Sequence, residues 1–309
     1  MKIIFLGSPE IAVPSLKALI DSGEQVVGVV TQPDKPAGRG RELHACAIAQ
    51  CARGKGLPLL QPERVRDPAF LNELKGLSPD LIVVVAYGKI LPKEVLELPT
   101  QKCINVHFSL LPKYRGAAPV QWALINGDEA TGVTTLFLTE KLDAGPILLQ
   151  RKLPIEPEDT AGTLGTRLAN TGAELLIETV ERLKQNDLPA VPQNEAEATL
   201  APSLKKEDGR LDFSKKAKAL WNQLRGMTPW PGGFTTLGGK SLKVWHATVL
   251  ARHGKRPGEV VALHPDGIEV ACGDGALLLT EIQLEGKKRM PASEFLKGHP
   301  LRTDTILGR

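Results

Sequence analysis

Residues 81–107, LIVVVAYGKILPKEVLELPTQKCINVH, decide the fold. Two short runs inside them, 81–86 and 103–107, are apolar on both faces of an extended chain. A strand that shows neither face to water suits a parallel sheet covered by helices on both sides. Comparable runs lie upstream at 3–6, 26–30 and 57–60, with helical stretches near 11–22, 43–54 and 67–76. Downstream, a helix near 119–126 precedes strands near 132–138 and 146–152. A long helix is then predicted from just after Thr160 to about Gln185. There Leu164, Leu168, Leu175, Leu176, Val180 and Leu183 recur on one face. This alternation predicts an α/β fold, a Rossmann-like and mostly parallel sheet domain.

At 309 residues the chain exceeds one typical core, so two domains are expected. Residues 188–202 hold three prolines and little apolar periodicity, which reads as a linker. The expected division is a sheet domain over 1–189, a linker over 190–205 and a second domain over 206–309. Beyond about Arg210 the pattern becomes one helical stretch, 214–225, and short strands at 234–237, 241–249, 259–263, 267–272 and 276–284. Glycine-rich turns separate them, and such spacing predicts a small antiparallel β-barrel, OB-like in kind. Residues 204–309 carry 18 Lys and Arg against 11 Asp and Glu, whereas the rest carries 21 against 24. The two surfaces either differ by chance or assign a polyanion to the C-terminal module.

Hydrophobic content of 42% and charged content of 24% are ordinary for a globular protein. The longest apolar run, around 81–86, falls far short of a membrane span. Met1 leads straight into a strand-like run, so a cytoplasmic protein is expected, and a monomer. Cys46, Cys51, Cys103 and Cys272 show no CxxC spacing and read as reduced, buried thiols.

The strand 103–107 also carries chemistry. Side chains alternate along a strand, so Asn105 and His107 share a face while Ile104 and Val106 take the other. An amide donor beside a titratable ring suits a reaction that develops an oxyanion. A loop with Pro112, Lys113, Arg115 and Gly116 follows. Asp143, in KLDAGPI, is either an ordinary turn aspartate or a carboxylate able to orient or charge His107. The loop 31–42, TQPDKPAGRGRE, has nothing to bury and reads as a mobile surface loop whose Arg39 and Arg41 could meet phosphates. Strand one ends in GSPE without the second glycine of a dinucleotide fingerprint, and no GxxxxGK[ST] occurs. Neither HExxH nor paired Cys/His spacing is present, so no metal is expected.

The string NVHFSLLPKYRGAAPVQWALINGDEATGVT (105–134) followed by LDAGPIL resembles the folate-dependent formyltransferases. The basic loop with KEDGRLDF (206–213) and RGMTPWPGGFTT (225–236) is similar to the methionyl-tRNA formyltransferase branch of that family. The resemblance spans the chain. It implies formyl transfer from 10-formyltetrahydrofolate to the α-amino group of methionyl initiator tRNA, for translation initiation. It also implies Asn105, His107 and Asp143 as the catalytic trio and Ser109, Leu110, Leu111 and Pro112 as folate-binding. Backbone over 85–90 would line the pterin, and Arg39 and Arg41 would contact tRNA. Phe108 stands where some members have glycine, with its ring expected to face away from Asn105 and His107. Trp230, between two prolines, is expected to pack rather than stack on a base. Removing residues after Leu204 should weaken tRNA use and spare folate.

Overall fold

The structure, a computed structural model, describes residues 1–37, 42–251 and 256–308. Its first part runs β1 (Lys2–Gly7), α1 (Val13–Asp21), β2 (Gln25–Val30), β3 (Lys35–Ala37), β4 (Glu42–His44), α2 (Ala47–Gly54), β5 (Leu59–Leu60) and α3 (Pro68–Gly76). β6 (Leu81–Val85), α4 (Lys93–Leu96), β7 (Cys103–His107), β8 (Arg115–Gly116), α5 (Pro119–Ile125), β9 (Ala130–Phe137), β10 (Ile147–Pro154) and α6 (Ala161–Lys184) follow. Local chemistry sets several boundaries. At α3, Asp67 accepts the Ala69 N–H at 2.9 Å and Pro68 occupies the first turn, where its missing N–H costs nothing.

Among the described residues, seven strands form one sheet in the order β10-β9-β7-β6-β1-β2-β5. Pairing from β7 across to β5 is parallel, and β9 is antiparallel to both β7 and β10. The fully buried runs of β6 and β7 thus lie inside the sheet, as their two-sided apolar pattern requires. From β1 the chain builds outward through β2 and β5, then returns to β6 on the other side of β1. The topological switch point therefore lies between β1 and β6. The stretch expected to be a bare loop is partly structured: β3 and β4 pair as a short antiparallel ribbon, Lys35 opposite His44. Arg39 and Arg41 lie outside the described residues.

Compactness divides the chain into two units that do not follow sequence alone. One holds 1–119, 130–154 and 165–202; the other holds 120–129, 155–164 and 203–309. In the second unit β11 (Leu200–Ala201) has no place, since it pairs with β8 in the first. The second unit instead contains α7 (Ala217–Met227), β12 (Gly233–Leu237), β13 (Lys240–Leu250), β14 (Val260–His264), β15 (Gly267–Ala271), β16 (Ala276–Leu284), β17 (Met290–Pro291) and α8 (Ala292–Gly298). Its antiparallel sheet follows the path β12-β13-β16-β15-β14 around a core of Leu220, Val244, Val270, Leu279, Ile282 and Phe295. Helix α8 escaped the periodicity because seven residues are too few to show it.

The segments 120–129 and 155–164 enter this unit through α7. Gly226 packs so closely that a Cβ there would stand 2.8 Å from the Gln121 carbonyl oxygen. Arg225 donates through Nη1 to the carbonyls of Pro157 and Asp159, both at 3.1 Å. Burial lowers the pKa of this guanidinium from its usual value. Trp230 is 58% exposed, so its indole is not the packing residue that its neighbouring prolines imply. No helix among the described residues is long and apolar enough to cross a membrane.

Candidate active site

The register of β7 with β9 and β10 lines up the site. Asn105 sits opposite Leu136, His107 opposite Thr134, and Thr134 opposite Gln150, so these side chains share one face of the sheet. The other face meets α6: a Cβ at Gly172 would come within 3.2 Å of the Phe108 ring. Phe108 therefore does turn away from Asn105 and His107.

Because β9 runs antiparallel to β7, it ends beside Ile104, at the start of β7. The loop 138–146 must come back along the site face to deliver Asp143. Adjacent strand ends, which sequence order alone implies, would not do this. Gly145 permits the tight return, since a Cβ there would overlap the Phe137 carbonyl oxygen at 1.8 Å. Asp143 itself adopts a left-handed backbone, φ 47°, a conformation that aspartate tolerates better than most residues.

The carboxylate is the hub. Its Oδ1 accepts from Asn105 Nδ2 at 3.2 Å, and its Oδ2 accepts the Gly116 N–H at 2.9 Å. The same Oδ2 faces His107 Nδ1 at 3.6 Å, an electrostatic contact longer than a hydrogen bond. On the far side of the ring, Nε2 donates to the Tyr114 carbonyl at 2.9 Å. That bond requires hydrogen on Nε2, since a carbonyl can only accept. Asn105, His107 and Asp143 are only 9%, 5% and 7% exposed, which makes each polar contact stronger than it would be in water.

The turn 109–112 forms the adjoining wall. Thr134 Oγ1 donates to the Ser109 carbonyl at 2.6 Å and accepts the Leu111 N–H at 3.1 Å. Gln150 Nε2 donates to the Leu111 carbonyl at 2.9 Å. Ser109 Oγ donates to the Lys113 carbonyl at 2.6 Å, closing the turn. Ser109 and Leu111 are buried, Leu110 and Pro112 half-buried. Near the site in sequence, Ile90 and Leu142 leave apolar side chains 77% and 61% exposed.

The stretch with linker composition lies along this wall. Gln193 Nε2 donates to the carbonyls of Asp143 and Gly145, both at 2.8 Å, and Val191 bridges Ile147. Arg115 is buried and grips Glu195 with two bonds of 2.9 Å and Gln193 with bonds of 2.8 and 3.0 Å. It therefore fastens the loop, and its guanidinium holds the Glu195 carboxyl below the usual range. Tyr114 donates its N–H to Thr199 Oγ1 at 2.9 Å. Gly116, Thr134, Gln150, Gln193 and Thr199 were invisible as site residues, since their partners lie 16 to 85 positions away. Only Gly116 left a trace, as a glycine in a functional loop.

Gly116 has φ 126°, and a Cβ would approach the Ala201 carbonyl oxygen to 2.6 Å. Gly116→Ala should therefore pull its N–H from Asp143 and lower kcat about tenfold, at a strain of ~1–3 kcal/mol. Steady-state kinetics beside thermal melting check this; wild-type kcat in a folded variant would refute it.

This buried amide, imidazole and carboxylate, set beside a pinned turn on a doubly wound sheet, define a group-transfer type of site. A model described as "Formyl transferase" matches residues 1–180, and one described as "Formyl transferase, C-terminal domain" matches 203–300. The chain belongs to the formyl transferase family. It is 50% identical over 309 residues to the "Methionyl-tRNA formyltransferase" of Citrifermentans bemidjiense, covering 100% of this chain and 97% of that one. A protein of the same name from Myxococcus xanthus is 50% identical over 300 residues, covering 97% and 96%. Among solved structures, HypX from Aquifex aeolicus in complex with tetrahydrofolic acid aligns with TM-score 0.67 at 21% identity, over 99% of this chain and 49% of that one. WlaRD, a sugar 3N-formyl transferase, aligns with TM-score 0.68 at 18% identity, over 93% and 99%. At these identities the structural likeness speaks for the fold.

Proposed function

We propose that the protein transfers a formyl group from 10-formyltetrahydrofolate to the α-amino group of methionyl initiator tRNA, for translation initiation. It does so in the cytoplasm, as a monomer and without a metal. The observation that carries this reading is the convergence of Asn105 and His107 on Asp143 in one buried cluster. Residues 1–189 serve as the catalytic domain, 190–205 as the connection and 206–309 as the tRNA-binding domain, with Arg39 and Arg41 contributing tRNA contacts.

The neutral amine attacks the formyl carbon, and the carbonyl electron pair moves onto oxygen. Asn105 keeps a second amide hydrogen beyond the one given to Asp143, and donates it to that oxyanion. His107 supplies a further donor once it turns from one of its present partners. Asp143 orients both groups and takes the proton leaving the amine, directly or through water. Collapse of the tetrahedral centre breaks the bond to the folate nitrogen, which departs with a proton. The turn Ser109–Pro112, the 85–90 backbone and the exposed Ile90 and Leu142 hold the folate.

A transfer assay with methionyl initiator tRNA, methionyl elongator tRNA and free methionine tests the reading. Initiator tRNA should be formylated fastest. Release of formate with no formylated amine would overturn it.

For the polyanion, charge reversal is a cleaner probe than deletion after Leu204. Deletion would strip 120–129 and 155–164 of the helix they pack against. Lys287 and Lys288 are exposed in a turn after β16. Lys287→Glu with Lys288→Glu should raise KM for charged tRNA several-fold and flatten its salt dependence. Folate affinity should stay unchanged. An unaltered tRNA KM would move the contact elsewhere.

A further inference from the structure

A second cleft lies on the other flank of β7. It has a volume of about 480 Å³ and is lined by Ser8, Pro9, Gln32, His44, Cys46 and Ala86, among others. Ser8 and Pro9 follow β1, Gln32 follows β2, and Ala86 follows β6, so the cleft opens at the switch point of the sheet. Its walls are built in advance. The Gln32 N–H donates to Ser8 Oγ at 3.1 Å, Gln32 Nε2 donates to the Tyr87 carbonyl at 2.9 Å, and the Ile48 N–H reaches the Ser8 carbonyl at 3.4 Å. Such a preformed, mixed cleft is what small-molecule sites generally look like.

We infer that this cleft receives the methionyl side chain of the amine substrate, an inference that rests on the function proposed above. Transfer needs two subsites that meet at the reacting carbon. The turn 109–112 is tied to β9 and β10, on one side of β7. The cleft lies on the other, with Ala86 following the strand whose Val84 pairs with Asn105. A donor held against the turn leaves the cleft for the acceptor. The lining chemistry agrees: its residues include no Lys or Arg, so it offers no counter-charge to a folate carboxylate or a phosphate. Pro9, Pro33, Ala47 and Ala86 give small apolar walls for a thioether chain, and Ser8 and Gln32 give polar atoms for the ester and ribose. Ala86 also opens the turn proposed to line the pterin, at the point where the two substrates would meet.

Cys46 provides an internal reporter. It stands at the start of α2, where its side chain makes no capping hydrogen bond. Cys103 and Cys272 are buried and their thiols are pushed up to about 12, which protects them from alkylation. In a Cys51→Ser background, iodoacetamide labelling of Cys46 is followed by mass spectrometry. Saturating methionyl initiator tRNA should slow labelling at least about fivefold, and 10-formyltetrahydrofolate alone should not. Cys46→Phe fills the cleft. It should raise KM about tenfold for methionyl initiator tRNA, less for alanyl initiator tRNA, with folate affinity kept. Protection by folate alone would overturn the inference, as would unchanged labelling under charged tRNA that is nonetheless formylated. An equal defect for both charged tRNAs would also overturn it. No formyl transfer by wild-type protein to any charged tRNA would instead bring down the proposed function itself.

Discussion

Asn105→Ala should lower kcat about 10²–10³-fold, equivalent to ~2.7–4 kcal/mol of lost oxyanion stabilisation. The substitution removes the one amide at the reacting centre that has a hydrogen to spare. Its cavity opens at the surface of the sheet face, so the fold should tolerate it. Folate binding should change little, because the turn at 109–112 is held by Thr134 and Gln150 rather than by Asn105. His107→Ala should show a similar split between kcat and folate affinity. Near-normal turnover by either variant would sink the assignment.

Asp143→Asn is the second large effect, though the side chain keeps its shape. Asp143 accepts at both oxygens, from the Asn105 amide at Oδ1 and from the Gly116 N–H at Oδ2. Asparagine offers one acceptor and one donor group, so either orientation sets a donor against a donor. Leaving such a buried contact unmade costs ~1–3 kcal/mol, before any loss of the charge that faces His107. A fall in kcat of about 100-fold is expected, with an altered pH–rate profile. If turnover falls while the profile keeps its shape, the carboxylate positions Asn105 and Gly116 and has no charge role toward His107.

Strand content and most helix boundaries were legible because they depend on nearest neighbours. The apolar runs at 81–86 and 103–107 became β6 and β7 with shifts of at most one residue, and the long helix lies at Ala161–Lys184. Even the second unit's strands follow the turn spacing closely. Two features ran against composition. The stretch 190–202 looks like a spacer, yet its hydrogen bonds close the wall of the site. The exposed Trp230 looks like a packing residue because prolines flank it, and proline placement says nothing about which face of a loop meets solvent.

Sequence alone specified which residues carry chemistry: alternation put Asn105 and His107 on one side of a strand, and the signature around them marked Asp143. It also carried the family, since the motifs run from one end of the chain to the other. Tertiary structure alone decided how those residues are held. Strand direction is not encoded in a strand's own residues, so the antiparallel entry of β9 and the return of the 138–146 loop over the site could not be read locally. The same holds for Gly116, Gln193 and Thr199, which act through bonds to residues 27 to 85 positions away. The unit boundary follows this rule too: residues 120–129 and 155–164 join the C-terminal sheet because α7 offers them a close-packed face, and packing faces exist only once the chain is folded.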